Sequence, residues 1–186
     1  GGNTALRYAG LYPEKVRKIV AIEGLGPSPK MIEERNATPV HEHWRKWYAD
    51  KRAKATRKHR EYDSFEEALS RMHAENSYLT AGQARHLCEH AVIRNENGTY
   101  SWKFDNYVRA WPPYDMSYSA IESLWAEITC PTLLVYGKES WASNPEKDGR
   151  LVHFKSAKVV EFDNAGHWVH HDRLDDFVAT TKGFIS

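Results

Sequence analysis

The sequence predicts an α/β fold, a mostly parallel sheet flanked by helices with a helical block inserted into it. Three observations carry that prediction. Short, largely β-branched apolar runs occur at 18–22, 132–136 and 158–162, each closed by a glycine or a polar turn, as suits strands buried on both faces. Helical spacing marks the segments at 4–12, 119–127 and 172–185. Between about residues 30 and 94 the composition turns heavily charged and helical, interrupting the α/β rhythm.

Taken in order, Ala5, Leu6 and Ala9 place one apolar face on a first helix, which Tyr12-Pro13 stops. Lys18-Ile19-Val20-Ala21-Ile22 is a buried strand ending at Glu23-Gly24, and Gly24-Leu25-Gly26-Pro27-Ser28-Pro29 is a loop. Residues 39–61 are helical in pattern, with Trp44, Trp47 and Tyr48 on one side. Ser64-Phe65-Glu66-Glu67 is a capping box that opens a helix through about Glu75, and Thr80-Ala81-Gly82-Gln83 opens another to about Ile93. Asn97-Gly98 predicts a turn between Val92-Ile93 and Tyr100-Ser101-Trp102-Lys103-Phe104, a small hairpin. After Pro131 the pattern reads strand, helix, strand, helix, with Phe177, Val178 and Phe184 inward on the last helix. The expected division is core at 1–29, a helical cap at 30–114 and core again at 115–186.

Bulk properties narrow the function classes. Hydrophobic residues make up 41%, charged residues 27%, and the formal net charge is +1, which gives no general basis for nucleic-acid or anionic-membrane binding. Residues 45–60 do hold eight Lys or Arg beside three aromatics, but Asp50, Glu61, Asp63, Glu66 and Glu67 lie close by. A solvated helix face accounts for them, and no nucleic-acid partner is expected. No apolar run is long enough to span a bilayer. Two cysteines do not make a disulfide framework and fit a reducing compartment, so a cytoplasmic location is expected. The chain opens Gly1-Gly2-Asn3-Thr4 straight into a helical pattern, which reads as a cut chain, any signal peptide lying upstream. His86-Leu87-Cys88-Glu89-His90 matches the H-x-x-E-H zinc pattern. With ten histidines in the chain and no third ligand, an outward polar helix face explains it, and neither metal nor cofactor is expected. Gly24-x-Gly26 lacks the remaining glycine of a phosphate-binding loop.

The most specific signal is Asn164-Ala165-Gly166-His167-Trp168-Val169-His170-His171, a loop that follows the last strand. An imidazole there can take and return a proton near neutral pH. This segment resembles the catalytic-histidine loop of the α/β-hydrolase fold superfamily, which includes esterases, epoxide hydrolases and haloalkane dehalogenases. The opening Gly1-Gly2-Asn3-Thr4-Ala5-Leu6-Arg7-Tyr8-Ala9, with Tyr12-Pro13-Glu14-Lys15-Val16, is similar to the helix after that family's G-x-S-x-G nucleophile turn. A side chain at the turn's first glycine would collide with the neighbouring strand. If Gly1 is the closing glycine, the nucleophile is expected two residues before it, outside this chain. His170 and His171 are expected to shape the loop or face solvent.

The resemblance implies a Ser-His-acid triad with His167 as base. The family's usual acid follows the strand ending at Tyr136-Gly137, where this sequence reads Gly137-Lys138-Glu139-Ser140-Trp141 with serine at the common acid position. Some relatives carry the acid one strand earlier, and Ile22-Glu23-Gly24-Leu25-Gly26-Pro27 resembles that arrangement. A carboxylate ending a buried strand needs a partner, so Glu23 is favoured, with Glu139 the alternative acid and Asp148 third. The block at 30–114 resembles the family's cap, and Tyr100-Ser101-Trp102-Lys103-Phe104-Asp105 a segment returning the cap to the core. The implied activity is carboxylic-ester hydrolysis through an acyl-enzyme on a small-molecule ester-like substrate, partnered by the N-terminal half of the same fold. An Asp-nucleophile epoxide hydrolase or haloalkane dehalogenase is the alternative, and a catalytically inactive ligand-binding homologue a further one.

Overall fold

The computed structural model describes residues 1–56, 60–105 and 115–186. The chain forms two compact units, one of residues 1–37 and 116–186 and one of residues 38–115. In the first, α1 (Gly2–Leu11) leads through a 3₁₀ turn to β1 (Ile19–Ile22), and α2 (Pro29–Ala37) follows. The chain returns with α6 (Tyr118–Glu127), β5 (Thr132–Gly137), β6 (Ala157–Phe162), α7 (Val169–Asp172) and α8 (Leu174–Ile185). The three strands form a parallel sheet in the order β1-β5-β6, with Ile22 paired to Val135 and Tyr136 to Glu161.

Alternation along the strands sorts the sheet's two faces. Ile19, Ala21, Leu134 and Tyr136 pack with Leu6 and Ala9 of α1, Trp125 of α6 and Ile128, the C-cap of α6. Leu133 and Val135 pack on the other face with Val169 and with Phe177 and Phe184 of α8. β5 is buried along its whole length, which is why its sequence is a near-continuous apolar run. This is the expected α/β layering, and among the described residues no helix is long and apolar enough to cross a membrane.

Three details differ from expectation. Instead of an α-helix between β5 and β6 there is only a four-residue 3₁₀ turn, Arg150–His153. Residues 138–149 contain Pro145 and a left-handed Gly149, and Asn144 accepts from the Glu146 amide, so local turns take the backbone bonds a helix would use. The final helix is split at Arg173 into α7 and α8. The composition change at Lys30 marks an exposed helix rather than the unit boundary: α2 has no buried residue and belongs to the first unit, which extends to Ala37.

The second unit holds α3 (Val40–Thr56), β2 (Glu61–Tyr62), α4 (Phe65–Glu75), α5 (Ala81–Ala91), β3 (Val92–Arg94) and β4 (Tyr100–Trp102). Helix α3 thus stops short of Glu61, which begins a strand. Thr80 and Gln83 form the reciprocal capping box. Ser64 caps α4 by accepting from the Glu67 amide, but the Glu67 carboxylate accepts from Asp63 instead of Ser64. β3 and β4 make the expected hairpin, and Gly98 takes the left-handed position of its turn at φ 86°. The unforeseen β2 completes an antiparallel sheet, β2-β4-β3. Tyr62, Ala68, Cys88 and Val92 form its core, and Trp102 donates to the Tyr62 hydroxyl at 3.0 Å. Residues 106–114, the end of the expected cap, lie outside the described residues.

Close backbone approaches at Gly2 and Gly137 bear on the loops after β1 and β6. A Cβ on Gly2 would lie 2.7 Å from Gly24 Cα, whereas one on Gly1 would meet nothing within 4 Å. The steric demand for glycine in the chain's opening therefore falls at Gly2, against the loop after β1. At the end of β5, a Cβ on Gly137 would lie 2.3 Å from the Ala165 carbonyl oxygen and 2.4 Å from that of Gly166. Backbone cannot yield as a side chain does. Gly137→Ala in the full-length protein is therefore expected to lose about 3 kcal/mol in urea unfolding and to displace the 164–167 loop.

Candidate active site

The site is assembled at the C-terminal ends of β1, β5 and β6, where parallel α/β sheets place their ligands. Glu23 follows β1 directly, and its amide still donates to Val135 O at 2.9 Å. Its backbone then turns left-handed, at φ 54°. For a residue with a long side chain that conformation costs on the order of 1 kcal/mol. The carboxylate is 4% exposed. It accepts the Gly137 amide at 3.4 Å through Oε1, and Oε2 meets Nδ1 of His167.

His167 comes from the loop after β6, which Asn164 enters with φ 55°. Three hydrogen bonds and the burial of Ala165 fix this loop. Glu139 N donates to Ala165 O at 3.0 Å, Ala165 N donates to Glu139 Oε2 at 2.7 Å, Gly166 N donates to Asp172 Oδ2 at 2.8 Å, and Ala165 is fully buried. A carboxylate only accepts, so the Nδ1 facing Glu23 carries a proton, and the neutral form of the ring then has its lone pair on Nε2. The imidazole is 47% exposed, so a buried carboxylate holds an imidazole with access to solvent. The Trp141 ring lies 5.2 Å from the imidazole at 36°, and Trp141 itself is 73% exposed.

The structure thus brings together His167 and Glu23 and gives the other two carboxylates different partners. Glu139 binds the Ala165 amide and fastens the histidine loop. Asp148 accepts from the Ser143 hydroxyl at 2.6 Å and from Nε of Arg150 at 3.0 Å. Burial works against the Asp148 charge, but the bonds from Arg150 and Ser143 outweigh it and hold the carboxyl below its ordinary range. Tyr136, buried at the end of β5, is pushed well above the ordinary phenol range by desolvation, with Glu23 adding to the rise. Sequence reasoning missed Arg150, Trp141 and Asp172. Asp148-Gly149-Arg150 looks like an ordinary polar turn, and only the fold reveals that its arginine is buried.

His170 is half-buried, 4.3 Å from the His171 ring and 6.1 Å from Phe177. Burial first, then His171, lowers its pKa below the ordinary 6.5. A depressed folded-state value means that the unfolded chain binds the proton more readily. The stability His170 contributes is present above its unfolded pKa and is lost as pH falls through the lower folded value. The urea midpoint is expected to drop between about pH 7.5 and about pH 5.5, and less so in His170→Phe.

In the second unit, His86 and His90 meet edge-on with centroids 4.7 Å apart. Among the described residues no group of three or more His, Cys, Asp or Glu side chains could hold a metal ion. Trp44, Trp47 and Tyr48 pack on one another along α3, with Trp44 and Tyr48 both exposed, and Lys46 pairs with Asp50.

A strand-end acid paired with a histidine in the loop after the next-but-one strand, on a parallel sheet, defines a class. Residues 1–174 match the family model of the alpha/beta hydrolase fold, and the chain belongs to that family. Solved structures are similar throughout the chain. One is a thioesterase domain from the curacin biosynthetic pathway, at 20% identity and TM-score 0.76, covering 97% of this chain and 62% of that one. Another is an esterase from Mycobacterium tuberculosis, at 18% identity and TM-score 0.74, covering 100% and 59%. A third is an E-2-(acetamidomethylene)succinate hydrolase, at 18% identity and TM-score 0.68, covering 97% and 62%. The chain therefore spans less than two thirds of the length of these structures.

Proposed function

We propose that this chain supplies the base and the acid of a serine carboxylic-ester hydrolase, whose nucleophile lies two residues before Gly1. The observation that carries the proposal is the buried Glu23 carboxylate on Nδ1 of a half-exposed His167. A buried anion on that nitrogen sets the tautomer a general base needs and stabilises the imidazolium formed when the base accepts a proton.

In this reading the serine Oγ attacks the ester carbonyl while His167 Nε2 takes its proton. Backbone amides, one just upstream of Gly1 and another further back, hold the oxyanion. His167 then returns the proton to the departing alkoxide, leaving an acyl-enzyme. Water attacks that ester with His167 again as base, and the carboxylic acid and free serine are regenerated. Residues 30–114 are read as the family's cap, an element that excludes water and selects the substrate.

The esterase and hydrolase among the similar structures support a hydrolytic reading. The position of the acid, directly after β1, favours one alternative: an aspartate nucleophile forming an alkyl-enzyme ester, as in epoxide hydrolases and haloalkane dehalogenases. A fluorophosphonate probe on the full-length protein separates them. Labelling of a serine that disappears in His167→Ala supports the esterase. A covalent adduct on aspartate from an epoxide or haloalkane, without probe labelling, replaces it with the alternative. Absence of both points to a ligand-binding homologue.

A further inference from the structure

The loop that carries Glu23 is tied down from an unexpected side. Arg150 is 2% exposed, a burial an arginine tolerates only when its donors are occupied. Nη2 donates to Ser143 O at 2.8 Å and to Ser143 Oγ at 2.9 Å. Nε donates to both oxygens of Asp148 at 3.0 Å, and Nη2 lies 2.7 Å from Asp148 Oδ2. The remaining nitrogen, Nη1, reaches across to the carbonyls of Gly26 and Pro27 at 3.3 and 3.4 Å. One guanidinium thus spans the loops that follow β1 and β5.

Those two carbonyls lie three and four residues after Glu23. Between them and β1 the chain makes two left-handed turns, at Glu23 (φ 54°) and Gly26 (φ 77°). Left-handed backbone at a non-glycine residue persists only where its surroundings over-determine it. β1 holds the stretch from one end through Val135, and Arg150 holds it from the other.

We propose that Arg150, with Asp148 and Ser143 as its support, is a positioning residue for Glu23: it clamps the Gly26–Pro27 backbone so that the carboxylate stays on Nδ1 of His167. The inference rests on the proposed role of the Glu23–His167 pair. Arginine suits the task because a planar fork can serve two loops at once, which a lysine ammonium on a flexible stem cannot.

The test is a double-mutant cycle in the full-length enzyme with an ester substrate, its fold checked by circular dichroism. Arg150→Lys is expected to lower kcat about tenfold with KM within about twofold, since the loss is of transition-state geometry and not of binding. Asp148→Asn/Arg150→Met removes both charges, so neither is left buried alone, and is expected to lower kcat about 100-fold. In a Glu23→Gln background the same changes are expected to cost less than about threefold, because their route to His167 is already broken. Added guanidinium chloride at low millimolar concentration is expected to restore part of the kcat of the Asp148→Asn/Arg150→Met variant only where Glu23 is present.

Wild-type kcat in Arg150→Lys overturns the proposal, as does an equal loss with and without Glu23, which marks Arg150 as a support of the fold alone. If the double variant fails to fold, the Arg150→Lys pair, with and without Glu23→Gln, decides by the same criterion. A wild-type enzyme that neither turns over esters nor labels with fluorophosphonate removes the underlying reading instead, so the two failures are distinguishable.

Discussion

His167→Ala in the full-length protein is expected to lower kcat for ester hydrolysis by about five to six orders of magnitude, with KM within a few-fold of wild type. In the proposed mechanism the imidazole moves the proton in both halves of the reaction. His170 and His171, the imidazoles that follow it in the chain, pack against each other, and His170 also lies beside Phe177. What survives is the contribution of oxyanion stabilisation and substrate positioning, which the substitution leaves alone. Removing the imidazole leaves the 4%-exposed Glu23 carboxylate with the Gly137 amide at 3.4 Å, so the fold is expected to lose about 1–3 kcal/mol. Steady-state kinetics beside a urea titration check both halves of the statement, and a small kinetic effect on an intact fold would remove His167 from the chemistry.

Glu23→Gln carries the second-largest expected effect, a fall in kcat of about three to four orders of magnitude at nearly unchanged KM. Glutamine is close in size, but it can present an amide N–H to Nδ1. The proton then moves to Nε2, where the base's lone pair is needed. It also removes the negative charge that stabilises the imidazolium. The same change keeps the side chain's volume and an acceptor oxygen, and it leaves no charge buried alone because His167 is half-exposed. The expected signature is therefore a crippled enzyme whose urea midpoint stays close to that of wild type. A parallel loss of activity and stability would mark Glu23 as structural.

Much of this was legible in the sequence because burial and covalent order leave periodic traces. The apolar run at 132–136 announces a strand covered on both faces, and Thr80 with Gln83 announces a helix start. Asn164-Ala165-Gly166-His167 was readable because a glycine-flanked histidine after a strand is a local pattern. Glu23 was suggested by a resemblance to relatives with the acid one strand earlier, and one physical step supported it as a partner for His167: a carboxylate closing a buried strand needs one. Glu139, close by in sequence to the usual acid position, is separated from Glu23 only by three-dimensional facts, since its carboxylate is taken by the Ala165 amide.

What stayed hidden depends on contacts distant in sequence. Arg150 is 123 and 124 residues from the carbonyls it binds, and nothing local distinguishes it from an exposed arginine. Strand β2 has only two residues and exists because Tyr62 pairs with Tyr100. Helix α2 has no buried residue, so it lacks the apolar stripe by which helices are recognised. The helix expected between β5 and β6 was an inference from rhythm alone, and Pro145 and the turns around it override it.

The pairing of His167 with Glu23 is tested most directly by the rate of fluorophosphonate labelling, which isolates nucleophile activation from deacylation and product release. Full-length Glu23→Gln and Glu139→Gln are to be compared with wild type under identical conditions. Glu139→Gln keeps an oxygen that can accept from Ala165, and its labelling rate is expected to stay within about threefold of wild type, while Glu23→Gln falls by about 1,000-fold or more. Fast labelling in Glu23→Gln together with loss of labelling in Glu139→Gln would contradict the assignment and move the acid to the loop after β5.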